Sequence, residues 1–408
     1  MLGPDSRLLT ALLIALSATL IAGVIRFRLL PVKVICATLS ILVAMVGGIA
    51  AVNYYYGYYT TWGQLWADFH GSTGNLGKIP AATTSTAVES GRLGSVSLPG
   101  KLSGYNRQGL LYLPPQYGQA KYAHVRFPVV ELFHGSPGSP VAWDTLLHID
   151  KVANSLLSRH LIGPMVLVMP AIDSGKTYQD CVNGPGVNDE TYVTRDVRTD
   201  MLAHYRVSTD PYEWGLAGYS SGGYCAANLA LRHRSSYGAA AVLNGYFRAA
   251  DGPAADALNR SQLLEIANSP LYEAERLAPN TSPLPAFWVA AGTHDKADYA
   301  PATVFVEALD RIEQVPYIKL NAGDTANAWS AALPAALEWL WQQLSSPDLR
   351  AMFPVHAQSA YITTIPVPGV RHHHVSPCKT SPSGASVIPC TTSHGQAKLA
   401  GGQTTSKA

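Results

Sequence analysis

The stretch WGLAGYSSGGYCAANLAL, residues 214–231, places a serine between glycines where an apolar run gives way to a helix-like one. Gly218, Ser220 and Gly222 form a G-x-S-x-G pattern, in which small residues permit a sharp turn from strand to helix. Such a turn exposes the central hydroxyl at the carboxyl end of a sheet. The pattern predicts that Ser220 is a nucleophile, while Ser221, the rival hydroxyl, lends its backbone N–H to an oxyanion.

Around this stretch, apolar runs alternate with helix-like segments from about residue 88 to residue 345. Short apolar runs between turn residues are typical of buried strands, whereas longer segments with apolar residues three or four apart are typical of helices. Regular alternation of the two predicts an α/β domain with a mostly parallel sheet. The predicted strands begin at residues 95, 109, 128, 165, 214, 239, 285 and 316.

A second backbone donor for an oxyanion is expected in the turn HGSPG, residues 134–138, which follows the apolar strand PVVELF. Its position resembles the oxyanion turn that follows the third strand in serine hydrolases. The donor is expected to be the N–H of Ser136, because Pro137 has none to give. His134 is expected to brace the turn rather than to take part in the chemistry.

The catalytic acid is expected after the apolar strand PAFWVAAG, residues 285–292, where the chain reads THDKAD. Serine, acid and histidine follow one another along the chain in this kind of triad. Asp295 is therefore the predicted acid, and Asp298 is the alternative.

Five stretches together carry a resemblance: LFHGSPG, ETYVTRDV, GYSSGG, AGTHD and AGDTANAWSAALPAALEWL. Over residues 88–344 the chain resembles the α/β-hydrolase esterases and acyltransferases that include S-formylglutathione hydrolases, feruloyl esterases and the mycolyltransferases of actinobacteria. The resemblance implies an α/β-hydrolase fold and serine-dependent acyl chemistry. Membrane-anchored actinobacterial members also carry short N-terminal spans followed by an aromatic segment similar to YYGYYTTW, residues 55–62.

The chain departs from this family at one position. In the family the last strand ends in a Gly-Gly-His turn, and a tryptophan follows in the next helix. Here residues 322–324 read Ala-Gly-Asp and Trp329 keeps the spacing, so Asp324 stands where the catalytic histidine is expected. No histidine lies between Asp295 and His356, so a small shift of the alignment does not supply one.

Three interpretations of Asp324 remain open. A substitute base comes from His294, His356 or a histidine of the C-terminal tail. Alternatively Asp324 itself helps Ser220, although a carboxylate is a weak base unless burial raises its pKa. In the third, catalysis has been lost, and an enzyme without a triad member keeps only about 10³- to 10⁴-fold catalysis over water. Like charges on Asp295 and Asp324 are expected to raise at least one of the two pKa values.

Two N-terminal segments, residues 8–25 and 34–52, carry no charged side chain and are long enough to span a bilayer as helices. Arg26, Arg28 and Lys33 lie between them, so the positive-inside rule places this loop in the cytoplasm and everything after the second span outside. The aromatic run NYYYGYYTTWGQLW that follows suits the outer headgroup layer. The expected location is the cell membrane, with two spans and an extracytoplasmic catalytic domain.

The chain is expected to divide into four parts. Residues 1–60 form the membrane hairpin, and residues 61–87, rich in Gly, Ser, Thr and Ala, form a linker. Residues 88–345 form the esterase-like domain. Residues 346–408, rich in Pro, Ser, Thr and Gly, are predicted to be a disordered tail.

The cysteines fit an oxidising compartment without establishing it. Cys36 lies in the second span, and Cys225 is expected to be a small buried apolar residue in the helix after Ser220. Cys378 and Cys390 lie in the polar tail, where they could pair, which leaves Cys181 as the odd thiol.

The composition indicates which classes of function are not expected of this chain. Charged residues make up 14% of the 408 and the net charge is +2, whereas soluble domains carry about 25% charged residues. This argues against nucleic-acid binding and for a link to the membrane.

No cofactor is expected, because serine acyl transfer needs neither a metal nor a nucleotide. The combined expectation is a membrane-anchored serine esterase or acyltransferase that acts on an acyl ester of a lipid or cell-envelope glycolipid. The alternative is a catalytically impaired protein of the same fold that binds lipid or sugar.

Overall fold

A nine-stranded sheet forms the centre of the protein within the residues that the computed structural model describes, which are 2–56, 59, 61–69, 76–79, 90–172, 180–356, 364–365 and 367. Its strands are β1 (Arg92–Pro99), β2 (Asn106–Leu113), β3 (Val129–Phe133), β4 (Val166–Met169), β7 (Trp214–Tyr219), β8 (Ala239–Leu243), β9 (Ala286–Gly292), β10 (Tyr317–Leu320) and β11 (Thr364–Ile365), while β5 (Asn183–Gly184) and β6 (Val187–Asn188) form a separate antiparallel pair.

The sheet is mostly parallel, as the alternating pattern predicted. Its strand order is β1-β2-β4-β3-β7-β8-β9-β10-β11. The pairs β1–β2 and β2–β4 are antiparallel, and the remaining pairs are parallel. Every residue of β3, β4, β7 and β8 is buried, as expected for parallel strands that are covered on both faces. Each of the predicted apolar runs forms a strand.

Helices connect these strands along the chain. They are α1 (Arg7–Arg26), α2 (Leu30–Tyr56), α3 (Trp62–Phe69), α4 (Ala142–Thr145), α5 (Ile149–Ser158), α6 (Asp189–Thr191), α7 (Arg198–His204), α8 (Ser221–Arg232), α9 (Ala254–Ala257), α10 (Gln262–Ala267), α11 (Pro270–Arg276), α12 (Lys296–Asp310), α13 (Ala326–Leu344) and α14 (Pro347–Met352), and a π-helical turn (Tyr192–Val197) joins α6 to α7.

The parallel strands place the predicted functional residues at one edge of the sheet. β3, β7, β8, β9 and β10 run in the same direction, so their carboxyl ends meet at that edge. Ser136, Ser220, Asp295 and Asp324 each follow the end of one of these strands. Ligand sites in sheets of this kind lie outside the carboxyl ends of the strands.

The two N-terminal helices, α1 and α2, are long and apolar enough to cross a membrane, judged by length and composition. They pack against each other, and Ser17 and Ser40 are buried between them with their hydroxyl oxygens 3.0 Å apart. Large apolar side chains such as Ile25 and Ile49 point away from this contact and are exposed. Polar groups that pair between the helices and apolar groups outside are typical of membrane helices.

Parts of the segments predicted as linker and tail are structured. Helix α3 lies in the predicted linker, and Ile79 is buried, with its N–H donating to the carbonyl of Ser95 at 3.0 Å. In the predicted tail, α14 begins at a Ser346 cap and buries Leu349, while β11 adds a parallel strand beside β10. Residues 370–408, which include Cys378 and Cys390, lie outside the described residues.

Candidate active site

Ser220 occupies a strained turn between β7 and α8. Its backbone has φ 53° and ψ −124°, which a residue other than glycine holds only where the surroundings enforce it. The Ser220 N–H donates to the Leu243 carbonyl at 2.9 Å, and the Ser220 carbonyl accepts from the Gly223 N–H at 2.8 Å. A Cβ on Gly222 would lie 2.1 Å from the carbonyl oxygen of Phe133, so only glycine allows the elbow to pack on β3. The predicted strand–turn–helix is present, with Ser220 half-buried at its apex.

The turn after β3 lies directly beside this elbow. A Cβ on Gly135 would come within 3.3 Å of the Cβ of Ser220 and 2.9 Å of the Tyr219 ring. Ser136, the predicted oxyanion donor, follows Gly135, and Ser221, the other predicted donor, is the first residue of α8. A helix supplies no acceptor for its first N–H groups. The two predicted donors therefore sit on elements in contact, one on each side of Ser220.

A buried carboxylate holds the Ser136 side chain. The Ser136 hydroxyl donates to Asp180 Oδ1 at 3.0 Å, and the Tyr246 hydroxyl donates to Asp180 Oδ2. Asp180 has no exposed surface. Asp180 and Tyr246 were not predicted from the sequence, because neither lies in a recognisable motif and their proximity arises only in the fold.

The residue after Asp180 forms a disulfide with α8, the helix that follows Ser220. Cys181 is bonded to Cys225, with Cα atoms 5.6 Å apart. The prediction that Cys225 is an unpaired apolar residue and Cys181 the odd thiol was therefore wrong. The spacing of 44 residues carries no motif, and the pairing arises because the fold places Cys181 beside α8.

His134 braces the oxyanion turn, as expected. It is fully buried, and its Nε2 accepts from the N–H of Ile172 at 3.3 Å. Because Nε2 accepts, Nδ1 carries the ring proton and donates to the Gly135 carbonyl at 2.9 Å. With both ring nitrogens engaged by the backbone, His134 has no free nitrogen to take a proton from Ser220.

Asp324 follows β10 and is buried, with 7% of its surface exposed. The Trp329 indole N–H donates to Asp324 Oδ1 at 2.7 Å, and the Ser220 hydroxyl is a side-chain hydrogen-bond partner of the same carboxyl. Trp329 also stacks on Tyr219, with ring centroids 4.4 Å apart. This arrangement places the Asp324 carboxyl where the resemblance expects an imidazole.

The environment of Asp324 favours its neutral form. Burial raises its pKa from 3.8 to about 8, and the negative charges of Asp298 and Asp295 act in the same direction. The hydrogen bonds from Ser220 and Trp329 oppose this rise. Desolvation raises the pKa of Asp324 more than the charges of Asp298 and Asp295 do. The sequence led us to expect repulsion between like charges as the cause.

The two candidate acids occupy the start of α12. Asp295 caps this helix, and its side chain accepts from the N–H of Ala297 at 3.1 Å. Asp298, one turn further on, has its pKa raised to about 6 by burial and by the charges of Asp295 and Asp251. Of the two, Asp298 has the larger effect on the pKa of Asp324. Both act on Asp324 through charge.

The other histidines considered as bases lie in different places. His356 donates its backbone N–H to the His160 carbonyl at 2.7 Å, and His160 precedes β4, at the opposite edge of the sheet from Ser220. His294 is exposed at the correct edge, after β9. Its backbone N–H donates to the Ala322 carbonyl at 2.9 Å. Histidines 372–374 and 394 lie outside the described residues.

Asn244 supports the turn that carries Asp324, and it was not singled out from the sequence. It follows β8 and is buried, and its side-chain amide donates to the Gly323 carbonyl at 3.4 Å. A Cβ on Gly292 would lie 2.5 Å from the Ala322 carbonyl oxygen. The turn is thus held tightly against the ends of β8 and β9. Among the described residues, His, Cys, Asp and Glu form no group of three or more that could hold a metal ion.

Comparison with known proteins gives a family and a fold. The family described as putative esterase matches residues 101–356. An uncharacterized protein of Corynebacterium glutamicum is 29% identical over 230 residues, which are 52% of this chain and 52% of the relative. The chain therefore aligns with about half the length of this curated relative.

Solved structures agree on the fold. A ferulic acid esterase is similar with a TM-score of 0.56 and 20% identity, covering 63% of this chain and 99% of the other. An S-formylglutathione hydrolase from Agrobacterium tumefaciens has a TM-score of 0.53 and 15% identity, covering 64% and 98%. A fluorophosphonate-binding serine hydrolase of Staphylococcus aureus has a TM-score of 0.53 and 18% identity, covering 62% and 99%. At these identities the similarity shows the α/β-hydrolase fold.

Proposed function

Because the chain belongs to the putative esterase family, we propose that it cleaves or transfers the acyl group of an ester with Ser220 as the nucleophile. The observation that carries the proposal is the Ser220 turn, with φ 53° at the end of β7. A protein retains such strain where the conformation serves a purpose. Here it raises one hydroxyl to the edge where ligands bind in this fold.

Neighbouring groups support the same chemistry. The backbone N–H groups of Ser136 and Ser221 serve as oxyanion donors, and the side chain of Ser136 is held by Asp180 at 3.0 Å. Preorganised donors of this type contribute strongly, and the loss of one typically costs about 10²- to 10³-fold in kcat. Asp324 faces the nucleophile, while Asp295 and Asp298 supply negative charge at the start of α12.

The proposed location is the outer side of a cell membrane. Helices α1 and α2 anchor the chain, and Arg26, Arg28 and Lys33 between them stay in the cytoplasm. The Cys181–Cys225 disulfide supports an oxidising compartment for the folded domain. In this arrangement residues 61–87 connect the anchor to a catalytic domain of residues 88–345, and residues 346–408 follow it.

The proposed substrate is an acyl ester of a lipid or a cell-envelope glycolipid. A membrane anchor keeps the active site close to lipids, which rarely leave the bilayer. The effective concentration of such a substrate at the site is therefore higher than in free solution. Water or a sugar hydroxyl is the acyl acceptor.

A second candidate function is binding without turnover, and Asp324 is the observation that favours it. A buried carboxyl with a pKa of about 8 is mostly protonated at neutral pH. A neutral acid does not take a proton from Ser220. In that case the cleft binds a lipid or sugar and releases it unchanged.

The test is ester hydrolysis by the full chain in detergent micelles, measured with 4-nitrophenyl butyrate. Serine replacement in a related triad costs about 10⁶-fold in kcat, so Ser220→Ala is expected to reduce hydrolysis to the uncatalysed rate. A fluorophosphonate is expected to label Ser220, and this labelling is expected to persist in Ser221→Ala.

Labelling confined to Ser221 contradicts the assignment of the nucleophile. An absence of labelling and turnover, together with saturable binding of a phospholipid or glycolipid, favours the binding function instead.

A further inference from the structure

We propose that Asp324 is the general base of this site and takes the proton of Ser220 directly, so that a serine–aspartate pair replaces the triad. The proposal rests on the proposed function, because it assigns the base for a reaction in which Ser220 is the nucleophile. It selects one of the three interpretations that the sequence leaves open.

The first support is the geometry of the pair. The Ser220 hydroxyl lies close enough to the Asp324 carboxyl to lower its pKa as a side-chain hydrogen-bond partner. Trp329 holds Oδ1 of the carboxyl at 2.7 Å, and Asn244 supports the preceding residue, Gly323, through its carbonyl. The carboxyl is therefore oriented by fixed partners, as a catalytic base requires.

The second support is elimination within the described residues. His134 has both ring nitrogens engaged by backbone groups. His356 lies at the opposite edge of the sheet, next to His160. His294 is exposed, and its side chain forms no hydrogen bond to Ser220 or Asp324 among the residues described here. Asp324 is thus the titratable group that faces the nucleophile.

The third support is the basicity of Asp324. An aspartate with an ordinary pKa near 3.9 is a poor match for a serine hydroxyl, whereas an effective base has a pKa near the working pH. Burial raises the pKa of Asp324 to about 8. The titratable groups that face it are Asp298 and Asp295 on α12, which raise the pKa further.

The remaining polar groups near Asp324 lie on four different elements. They are Ser220 on the elbow, Trp329 on α13, Asn244 after β8 and His294 before α12. No cation is among the groups that set the pKa of Asp324. The basicity of the carboxyl therefore comes from its surroundings in the fold and is lost if the turn opens to water.

The reaction balances without any further group. Ionised Asp324 takes the Ser220 hydroxyl proton while Oγ forms a bond to the ester carbonyl carbon, and the carbonyl oxygen becomes an oxyanion held by the N–H groups of Ser136 and Ser221. The carbon–oxygen bond to the alcohol then breaks, and the proton on Asp324 moves to the leaving oxygen. Water or a hydroxyl acceptor adds to the acyl-serine by the reverse steps, so that Asp324 ends ionised and Ser220 ends protonated.

This assignment predicts an alkaline pH profile. Since only ionised Asp324 accepts the proton, kcat/KM of the full chain is expected to rise about tenfold per pH unit up to about pH 8 and to level off above it. The assay uses 4-nitrophenyl butyrate in detergent micelles, with the uncatalysed rate subtracted. A rise centred near pH 6.5, the ordinary range of histidine, overturns the assignment.

Substitutions at Asp324 separate a base from a structural residue. Asp324→Asn keeps an oxygen for the Trp329 bond and removes the base, so kcat/KM at pH 9 is expected to fall at least about 100-fold, with loss of the pH dependence. Asp324→His is expected to retain activity with the rise moved down toward about pH 6.5. Activity of Asp324→Asn equal to that of the parent at every pH overturns the proposal.

Asp298→Asn provides a readout that a structural role would not move. Removing the negative charge of Asp298 is expected to lower the pKa of Asp324 and to shift the rise in kcat/KM toward lower pH by a fraction of a unit. An unshifted profile in this variant contradicts titration of Asp324.

Glu131→Gln is the matched control. Glu131 lies in β3, and burial also raises its pKa to about 8, but its partner is the Tyr237 hydroxyl at 3.5 Å. The profile is expected to be the same as that of the parent. If Glu131→Gln removes the rise and Asp324→Asn does not, the titration belongs to the wrong carboxyl and the proposal is overturned.

The two proposals fail in distinguishable ways. If the activity depends on Ser220 but its pH profile is unchanged by substitutions at Asp324, the assignment of the base is wrong and the proposed serine esterase function still stands. Absence of Ser220-dependent activity from pH 5 to about pH 10 defeats both, because a base without a working nucleophile has no function.

Discussion

In the mechanism proposed above, the burial of Asp324 favours catalysis at a cost to folding. Burial that strengthens it as a base also makes its ionised form unstable in the folded protein, because an ion in a low-dielectric site loses its hydration. Unfolded, the same carboxyl ionises near pH 3.8, whereas folded it ionises near pH 8. Between these values the unfolded state binds fewer protons than the folded state, so the free energy of unfolding falls as the pH rises.

Asp324→Asn is therefore expected to stabilise the protein in a pH-dependent way. The free energy of unfolding of the variant is expected to equal that of the parent near pH 4, to exceed it increasingly up to about pH 8 and to level off above. Each unit of difference between the folded and unfolded pKa corresponds to about 1.4 kcal/mol. If the substitution restores even part of this free energy, Tm is expected to rise by several degrees, because 1 kcal/mol shifts Tm by about 2–4 °C in a domain of this size. The measurement is thermal unfolding of the full chain by near-UV circular dichroism.

The control for this measurement is Asp256→Asn on α9, where the carboxylate is exposed and paired with Arg260 at 2.7 Å. Exposed pairs contribute little to stability, so its Tm is expected to follow that of the parent at every pH. A constant difference between Asp324→Asn and the parent from pH 4 to about pH 9 contradicts the raised pKa.

At the level of single residues, the sequence predicted part of the site. The turns at Ser136, Ser220 and Asp324 were recognisable because each combines small residues with the end of an apolar strand. Asp180 and Tyr246 were not, because a buried hydrogen bond between residues 66 positions apart leaves no local pattern. The pKa of Asp324 was also beyond reach, since desolvation depends on everything packed around the carboxyl.

Among the elements, α8 both begins at the Ser220 turn and carries one cysteine of the disulfide. Its first residues form the nucleophile turn, and its Cys225 holds the loop of Cys181. Asp180 in this loop accepts the Ser136 hydroxyl. The disulfide therefore connects the nucleophile helix to the oxyanion turn through a chain of covalent and hydrogen bonds.

Replacing both cysteines, as Cys181→Ala with Cys225→Ala, is expected to destabilise the protein by about 2–4 kcal/mol. Loss of the tether also frees Asp180, so kcat is expected to fall about tenfold or more while KM changes less, because a misplaced oxyanion donor acts mainly on the transition state. The measurements are denaturant unfolding and hydrolysis of 4-nitrophenyl butyrate.

A peptide map of the non-reduced parent provides the check on this variant. The peptides that contain Cys181 and Cys225 are expected to elute as a linked pair. If they elute separately while the parent is active, the connection between α8 and the oxyanion turn does not operate.

The elements themselves were largely predictable, because a buried parallel strand must be a short apolar run. The structured parts of the predicted linker and tail were less so. β11 contributes only Thr364–Ile365 and exists through pairing with β10, while α14 is stabilised by burying Leu349 and Phe353. Short elements of this kind depend on tertiary contacts more than on their own sequence.

For the whole molecule, we predict the arrangement across a membrane from three charges. Arg26, Arg28 and Lys33 lie at and between the ends of α1 and α2, and positive residues in short loops remain in the cytoplasm. Alkaline phosphatase fused after residue 60 is expected to be active, and the same reporter fused after residue 29 is expected to be inactive. The reverse pattern contradicts both the location and the role of the disulfide.

The turn that carries Asp324 also has a consequence for mutation and selection. Aspartate and histidine codons differ only in their first base, so one transversion converts this carboxyl to an imidazole on a turn already held by Trp329 and Asn244. An enzyme suited to alkaline conditions and one suited to neutral conditions are then adjacent genotypes. Populations that depend on ester cleavage in neutral medium are expected to reach the histidine form without passing through an inactive intermediate.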